Sequence, residues 1–396
     1  MKSLLLSFLL LCVLPCSAQK AFKPVTTALK AKNYKEAIQQ INKLRADSTY
    51  CNNAKLCIYS IEANSGLNDA QNMKIYLKQS YDTLAFFSTT RDIISEAVRL
   101  DSIERMLQLT ENKKPKQTHY VREQLQKYFP NMNAAARYFY KIRNYSEAMR
   151  YLRTCLELPH TTLGQAAQLS TQADAMNAVR YMTSAYSTKQ YGEVLRYDSL
   201  ALSVTHVRAD MMKTLALTAN AMKDSAAYHA RLADGWREYP HDAFFFTRLA
   251  DFYNHSLQYK QTLHLAQQQL SIDSTFTSAY MARCVAFYNL EQFDSCIVNA
   301  EHALACDSTF AEAHYYIGAA YINLIARISM PDNLGTRAYR KALAEQQRLY
   351  LLAEPELETY RRMAPQAKQQ WAPLLYKVYL ALNRGKKFAE IEALMQ

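Results

Sequence analysis

Glycine and proline are scarce in this sequence: its 396 residues include 7 Gly and 10 Pro. Glycine-rich loops and tight β-hairpin turns depend on these residue types, so the composition excludes folds that are built mainly from them. Ala, Leu, Gln, Lys and Arg are abundant instead, and all five are favourable in helices. The composition therefore predicts an all-α protein with long helices and short turns.

Catalytic motifs are also missing. The sequence contains no G-x-S-x-G, no H-E-x-x-H, no G-x-x-x-x-G-K-[ST] and no glycine-rich dinucleotide turn. The nine His residues are scattered, and none forms a two-His pair four residues apart. We therefore expect no enzymatic activity, cofactor or metal. The alternative is an enzyme whose site uses His119 or the acidic residues Glu354, Glu356 and Glu358.

The first eighteen residues differ from the rest of the chain. Lys2 precedes an apolar run at 4–14, and the segment 15–18 ends in small residues. This pattern is typical of a signal peptide cleaved after Ala18, and the run is too short to span a membrane. A lipid anchor at Cys16 or Cys12 is disfavoured, because such signals carry a small residue before the cysteine and here Pro15 and Leu11 precede them. We expect an exported protein, periplasmic or secreted, without a transmembrane segment.

Basic residues outnumber acidic ones, 47 against 35, which gives a formal net charge of +12. Export argues against nucleic acid as a partner. The charge leaves two interpretations open: solvated helix faces along the whole chain, or a basic surface that binds an anionic glycan or envelope component.

A period of thirty-four residues is present in the second half of the sequence. The residues at 272–276 (IDSTF) recur at 306–310 (CDSTF), and Tyr259 recurs as Phe293 at the same offset. A fixed period of this size is typical of repeat proteins in which each unit is a pair of helices.

A short phrase with Tyr or Phe at its second position marks the turn into the second helix of each unit. Its copies are 33–37, 144–148, 190–194, 258–261 and 292–295. Apolar residues with helical spacing flank the turns, as in Phe246, Leu249, Ala250 and Tyr253. A single hairpin cannot bury its apolar stripe alone, so we predict that the hairpins stack into an α-solenoid.

The phrase His314-x-x-Ile317-Gly318-x-x-Tyr321 resembles the tetratricopeptide repeat pattern. The resemblance implies a right-handed superhelix of stacked helix-turn-helix units that binds other proteins. It is strongest from about 206 to 324. Some members of that family clamp a partner's terminal carboxylate with paired Lys and Asn, a set that the three best repeats of this chain lack.

The domain organisation follows from the repeat. The sequence predicts a signal peptide at 1–18, degenerate repeats at 19–130 with an irregular segment at 86–130, a repeat array at 131–358 with an insertion near 325–337, and capping helices at 359–396. Two interpretations of 86–130 are open: a distorted unit, or a joint between two stacks.

The resemblance also bears on the cysteines, none of which forms a C-x-x-C pair. Cys284 and Cys296 occupy positions where the paired helices of one unit touch. They are either within disulfide reach or simply small core residues. Cys51 and Cys57 are expected on different faces of one continuous helix, which disfavours a bond between them.

A binding groove can be predicted from helix geometry. Residues at i, i+4 and i+7 of each first helix share one face, and the resemblance implies that these faces line the concave surface. The predicted stripes are Thr247, Asp251 and Asn254; Met281, Val285 and Tyr288; and Tyr315, Ala319 and Ile322. Such a groove suits a partner peptide or helix. The alternative is that the insertion or the Trp371 region covers its apolar end.

The leading interpretation is a non-enzymatic protein–protein interaction scaffold of the cell envelope or secreted fraction. The basic, glycan-binding surface is the second interpretation and the enzyme is the third. The sequence specifies neither the partner's identity nor the oligomeric state.

Overall fold

The computed structural model of the protein describes residues 20–395. The chain divides into two compact units, the first ending at Thr218 and the second beginning at Ala219. Within the described residues every regular element is a helix and no β-strand occurs, which confirms the all-α prediction. None of these helices is long and apolar enough to cross a membrane. The predicted signal peptide at 1–18 lies outside the described residues.

The first unit contains short and long helices packed in chain order. They are α1 (Lys23–Lys30), α2 (Tyr34–Arg45), α3 (Ala54–Tyr76), α4 (Thr83–Glu111), α5 (Thr118–Lys141), α6 (Tyr145–Glu157), α7 (Thr162–Ala166), α8 (Asp174–Ser187), α9 (Tyr191–Val194) and α10 (Asp198–Leu202). The next helix, α11 (Arg208–Ala221), contains the division point between the units.

The second unit continues the pattern of paired helices. They are α12 (Ser225–Glu238), α13 (Ala243–His255), α14 (Tyr259–Ile272), α15 (Thr277–Asn289), α16 (Phe293–Cys306), α17 (Ala311–Ala326), α18 (Arg337–Met363), α19 (Lys368–Ala381) and α20 (Gly385–Met395).

A residue with left-handed backbone conformation lies just after the first helix of four consecutive hairpins. In each case the amide of the next residue donates to the carbonyl five positions earlier, as from Gln258 to Tyr253 at 2.8 Å, which closes the helix end. The four residues have φ between 57° and 60° and are spaced by thirty-four residues: Lys189, Lys223, Leu257 and Glu291. The period of the sequence is therefore a period of the structure.

The main core of the first unit is continuous from Cys57 to Leu215, and a smaller core joins α1, α2 and α3. The segment 86–130 belongs to the main core, because α4 has 29 residues and α5 has 24, and both contribute buried side chains. Between them lies the polar loop at 112–117. The two long helices of this segment thus contribute to one continuous core.

The second unit has one core formed by α15, α16 and α17 and another formed by α18, α19 and α20. A loop at 327–336 separates α17 from α18, close to the predicted insertion. The predicted boundary between 358 and 359 falls inside α18, which has 27 residues and continues through Pro355 to Met363. The C-terminal helices therefore begin earlier than the sequence suggested.

Candidate functional site

The first predicted stripe lies on α13. Asp251 is exposed and lines a cavity of ≈ 480 Å³, together with Arg248 and His255. Asn254 instead accepts a hydrogen bond from Thr262 of α14 at 2.7 Å, so its side chain joins the two helices of its own hairpin. Thr247 is half-buried and donates to the carbonyl of Ala243.

The second predicted stripe, on α15, is mostly occupied by internal packing. Met281 is only 6% exposed and belongs to the core of α15, α16 and α17. Val285 is half-buried. The Tyr288 ring packs edge-on against Phe293 and Tyr316, and its hydroxyl accepts from Asn323 at 2.9 Å.

The third predicted stripe, on α17, is covered by the chain's own C-terminal helices. The Tyr315 ring lies 5.3 Å from that of Tyr360 in α18. Ile322 packs against the core cluster that contains Trp371, and Ala319 is buried. The apolar end of the predicted groove is therefore not open in this structure.

The acidic residues of the enzyme alternative all lie beside basic groups. Glu354 is 2.8 Å from Arg384, Glu356 is 2.6 Å from His314, and Glu358 pairs with Lys387. Over the described part of the chain, no group of three or more His, Cys, Asp and Glu side chains is placed to hold a metal ion. These contacts join α18 to His314 of α17 and to Lys387 of α20.

The two cysteines of the α15–α16 hairpin lie side by side. The Cys284 and Cys296 sulfurs are 3.3 Å apart, both thiols are fully buried, and both are free in this structure. The neighbouring Cys296 thiol and burial raise the pKa of Cys284. Their pairing under oxidation stays a prediction.

Cys51 and Cys57 differ from the expectation of one continuous helix. Cys51 lies in the turn before α3, where its thiol donates to the Ser48 carbonyl, and Cys57 is buried inside α3. Burial raises the pKa of the Cys57 thiol to about 11. The helix starts later than expected because Asn53 caps its N-terminus through the Lys55 amide.

A cavity with polar lining lies in the first unit and was not among the predicted sites. Its volume is ≈ 720 Å³, and it is bounded by α5, α8 and the loop 168–173. These are the first helices of two consecutive hairpins. One face of α5 contributes Gln126, Asn133 and Arg137, and α8 contributes Met176 and Arg180.

The charge of this cavity is one-sided. No Asp or Glu lines it within the described residues, while Arg137 and Arg180 both do. Burial and, after it, the positive charge of Arg137 lower the pKa of Arg180. Asp174, at the start of α8, pairs with His160 at 2.7 Å, and burial raises the pKa of this carboxyl.

Amide side chains hold the geometry of the cavity. Arg180 donates to the Asn177 oxygen at 3.2 Å, and the Asn177 amide donates in turn to Asn133 at 2.8 Å. Gln126 donates to the Ala167 carbonyl at 3.0 Å and so ties α5 to the loop. Asn177 is 1% exposed, so its own position is fixed by the surrounding core. Its contact with Arg180 therefore restricts the guanidinium of that flexible side chain.

The i, i+4 and i+7 spacing that predicted the groove stripes also points to this cavity. Spacings of four and seven residues, applied to α5 and α8, bring Asn133 and Arg137 to one face and Met176 and Arg180 to another. The irregular loop before α8 interrupts the repeat spacing in the first unit, so it is not evident from the sequence that these faces of α5 and α8 border one cavity.

No known protein-family profile matches the sequence, and no curated protein matches it. Several solved structures are similar at low identity. The C-terminal part of a TPR repeat-containing protein from Cytophaga hutchinsonii is 10% identical over 65% of this chain and 91% of that chain, with a TM-score of 0.43. A tetratricopeptide repeat protein from Parabacteroides merdae is 10% identical over 66% and 96%, with a TM-score of 0.37. YrrB, described as a TPR protein with an unusual peptide-binding site, is 15% identical over 50% and 94%, with a TM-score of 0.31.

The pairing of helices and the thirty-four-residue spacing of their turns define the class of this protein. It is an all-α repeat protein built of helical hairpins, and tetratricopeptide repeat structures are among the solved structures to which it is similar. The resemblance drawn from the sequence is confirmed at the level of the fold.

Proposed function

We propose that the chain is a non-enzymatic scaffold that binds a segment of a partner protein between the first helices α5 and α8. The observation that carries this proposal is the ≈ 720 Å³ cavity between them, lined by arginines, amides and the apolar side chains of Leu169 and Met176. A bound peptide needs hydrogen-bond donors for its carbonyl groups and apolar surface for its side chains, and this lining supplies both. The groups that line the cavity bind and orient, and include no nucleophile paired with a base.

The polar part of the predicted second-unit stripe supplies a second proposed contact region. Asp251 is exposed, and Thr247 is half-buried. Met281, Tyr315 and Ile322 take no part in this proposal, because their side chains pack inside the second unit.

We also propose that the scaffold acts after export, in the periplasm or the secreted fraction. The support is the charged start, apolar run and small residues of 1–18. N-terminal sequencing of the mature protein tests this: a start at Gln19 is expected, and a retained Lys2 contradicts it.

Site-specific photo-crosslinking in the native organism tests the binding surface. A photoreactive amino acid replaces Gln126, which lines the cavity, and in a matched variant it replaces Arg150, which is exposed on α6. We expect covalent adducts of a partner at position 126 and none at 150. The cross-linked peptide, identified by mass spectrometry, is expected to be a continuous segment of one partner protein.

Two results contradict the proposed function. Equal adducts from both positions would show that contact at the cavity is unselective. Absence of adducts at 126 together with adducts at a variant of Asp251 would move the binding surface to the second unit.

A further inference from the structure

Among its described residues, the first unit contains arginines that pair with a carboxylate and arginines that do not. Several arginines of that unit lie within 4.0 Å of a carboxylate, namely Arg45, Arg91, Arg105, Arg150, Arg153 and Arg196. Neither Arg137 nor Arg180 belongs to an ion pair in the described part of the chain. The cavity thus holds two positive charges that no carboxylate of the described chain neutralises.

This arrangement is unfavourable for the free protein. Arg180 is half-buried and loses part of its hydration, and the positive charge of the exposed Arg137 repels it. Arg180 keeps a fixed orientation all the same, because Asn177 accepts one of its hydrogen bonds and remaining N–H groups are free to donate to a ligand. An anionic ligand would relieve the repulsion and satisfy these donors.

The surroundings of the arginines specify the kind of anion. Leu169 and Met176 bring apolar surface to the same cavity, and Gln126 and Asn133 bring amide groups that can pair with a peptide backbone. A planar carboxylate matches the fork of a guanidinium. An acidic side chain with an apolar neighbour on the same peptide satisfies all three kinds of lining group.

We propose that the cavity between α5 and α8 binds an acidic segment of a partner protein, with an Asp or Glu side chain at Arg137 and Arg180 and an adjacent apolar side chain on Leu169 and Met176. This inference rests on the proposed function, since it names the chemistry of the segment that the scaffold binds.

Fluorescence anisotropy with synthetic peptides tests the inference on the full mature chain. The probe is a labelled peptide in which Asp alternates with Leu, acetylated and amidated so that it has no charged ends. Its control carries Asn in place of each Asp. We expect the Asp probe to bind at least about tenfold more tightly than the Asn probe, and to weaken with added salt, because charge-assisted hydrogen bonds supply the difference.

Single-residue variants locate the binding. Arg137→Gln and Arg180→Gln are each expected to weaken the Asp probe about tenfold or more. The matched control is Arg122→Gln, which removes the same charge from an exposed position of α5 outside the cavity and is expected to change affinity little. Circular dichroism melting curves of all variants check that each is folded.

Each of the remaining outcomes overturns the inference. These are no binding of the Asp probe by the wild type, equal binding of the Asp and Asn probes, or equal losses in the Arg122 and Arg180 variants. If a peptide without acidic side chains but with a free terminal carboxylate binds and the Asp probe does not, the arginines bind the C-terminus of a partner chain. If crosslinking at Gln126 still captures a partner, the scaffold function stands and only the acidic character of the segment is wrong.

Discussion

At the scale of single residues, the chain closes its turns without glycine. Ten non-glycine residues of the described chain have positive φ, and none of the seven glycines does. A left-handed conformation costs an ordinary residue about 1–2 kcal/mol. The sequence predicts where the turns lie, through the recurring aromatic phrase, but it cannot mark the left-handed position, because no Gly or recurrent Asn stands there.

Leu257→Gly is expected to stabilise the protein. Leu257 has φ 57° and is 73% exposed, so its side chain contributes little packing to offset its backbone strain. We expect a gain of about 1 kcal/mol in the free energy of unfolding, measured by urea titration. Leu257→Ala, which keeps a Cβ, should show no such gain. A glycine variant no more stable than the alanine variant would refute the strain argument.

At the scale of helices, contacts between distant elements determine which predicted surfaces stay open. The spacing of four and seven residues selected side chains on one face of α17. In the structure α18 and α19 cover that face. Spacing along one helix carries no information about which other helices pack against it. Gly318 of α17 allows this approach, because a Cβ at that position would lie 2.5 Å from Leu357 of α18. The sequence marked Gly318 as a repeat residue without revealing its partner helix.

Gly318→Ala is expected to destabilise the second unit. Alanine gains about 1 kcal/mol in helix propensity over glycine, but overpacking against the fully buried Leu357 costs about 1–3 kcal/mol, so we expect a net loss of up to about 2 kcal/mol. Gly192→Ala in α9 is the control, since a Cβ there meets nothing within 4 Å and should stabilise. Thermal unfolding compares the two, and equal gains would mean that the helices are not in close contact at Gly318.

Glu193 holds the interrupted second helix of the α8 hairpin in place. Its carboxylate accepts from Tyr181 at 2.6 Å, Arg153 at 2.9 Å and Arg196 at 2.7 Å. The hydrogen bonds from Arg196 and Tyr181 lower the pKa of Glu193 to about 2 from an ordinary value of 4.5. The folded state thus favours the ionised form.

A lowered pKa makes the contribution of Glu193 depend on pH in a defined direction. It is fully present above about pH 4.5, where the unfolded chain is also ionised, and is lost as the pH falls toward 2. Glu193→Gln should therefore be less stable than the wild type near neutral pH, with most of the difference lost at about pH 2. Urea titrations at both values test this. A difference that persists in acid would assign the effect to packing.

At the scale of the whole molecule, the sequence predicted the fold class and the period but not the arginine-lined cavity of the first unit. The period is visible because equal hairpins repeat the same contacts, as the turns at Lys189, Lys223 and Leu257 do. The cavity depends on the irregular loop 168–173 and on Arg137 and Arg180. These features are not part of the thirty-four-residue repeat. The net charge of +12 suggested a basic surface. Only the structure brings Arg137 and Arg180 into one cavity without a carboxylate.

Hydrogen–deuterium exchange of the full mature chain tests the central claim, that a partner segment binds between two first helices. Exchange is measured with and without the partner recovered by crosslinking. We predict slower exchange in peptides covering 126–137 and 168–180, with little change in α6 at 145–157. Protection confined to α6 or to the second unit would contradict the account.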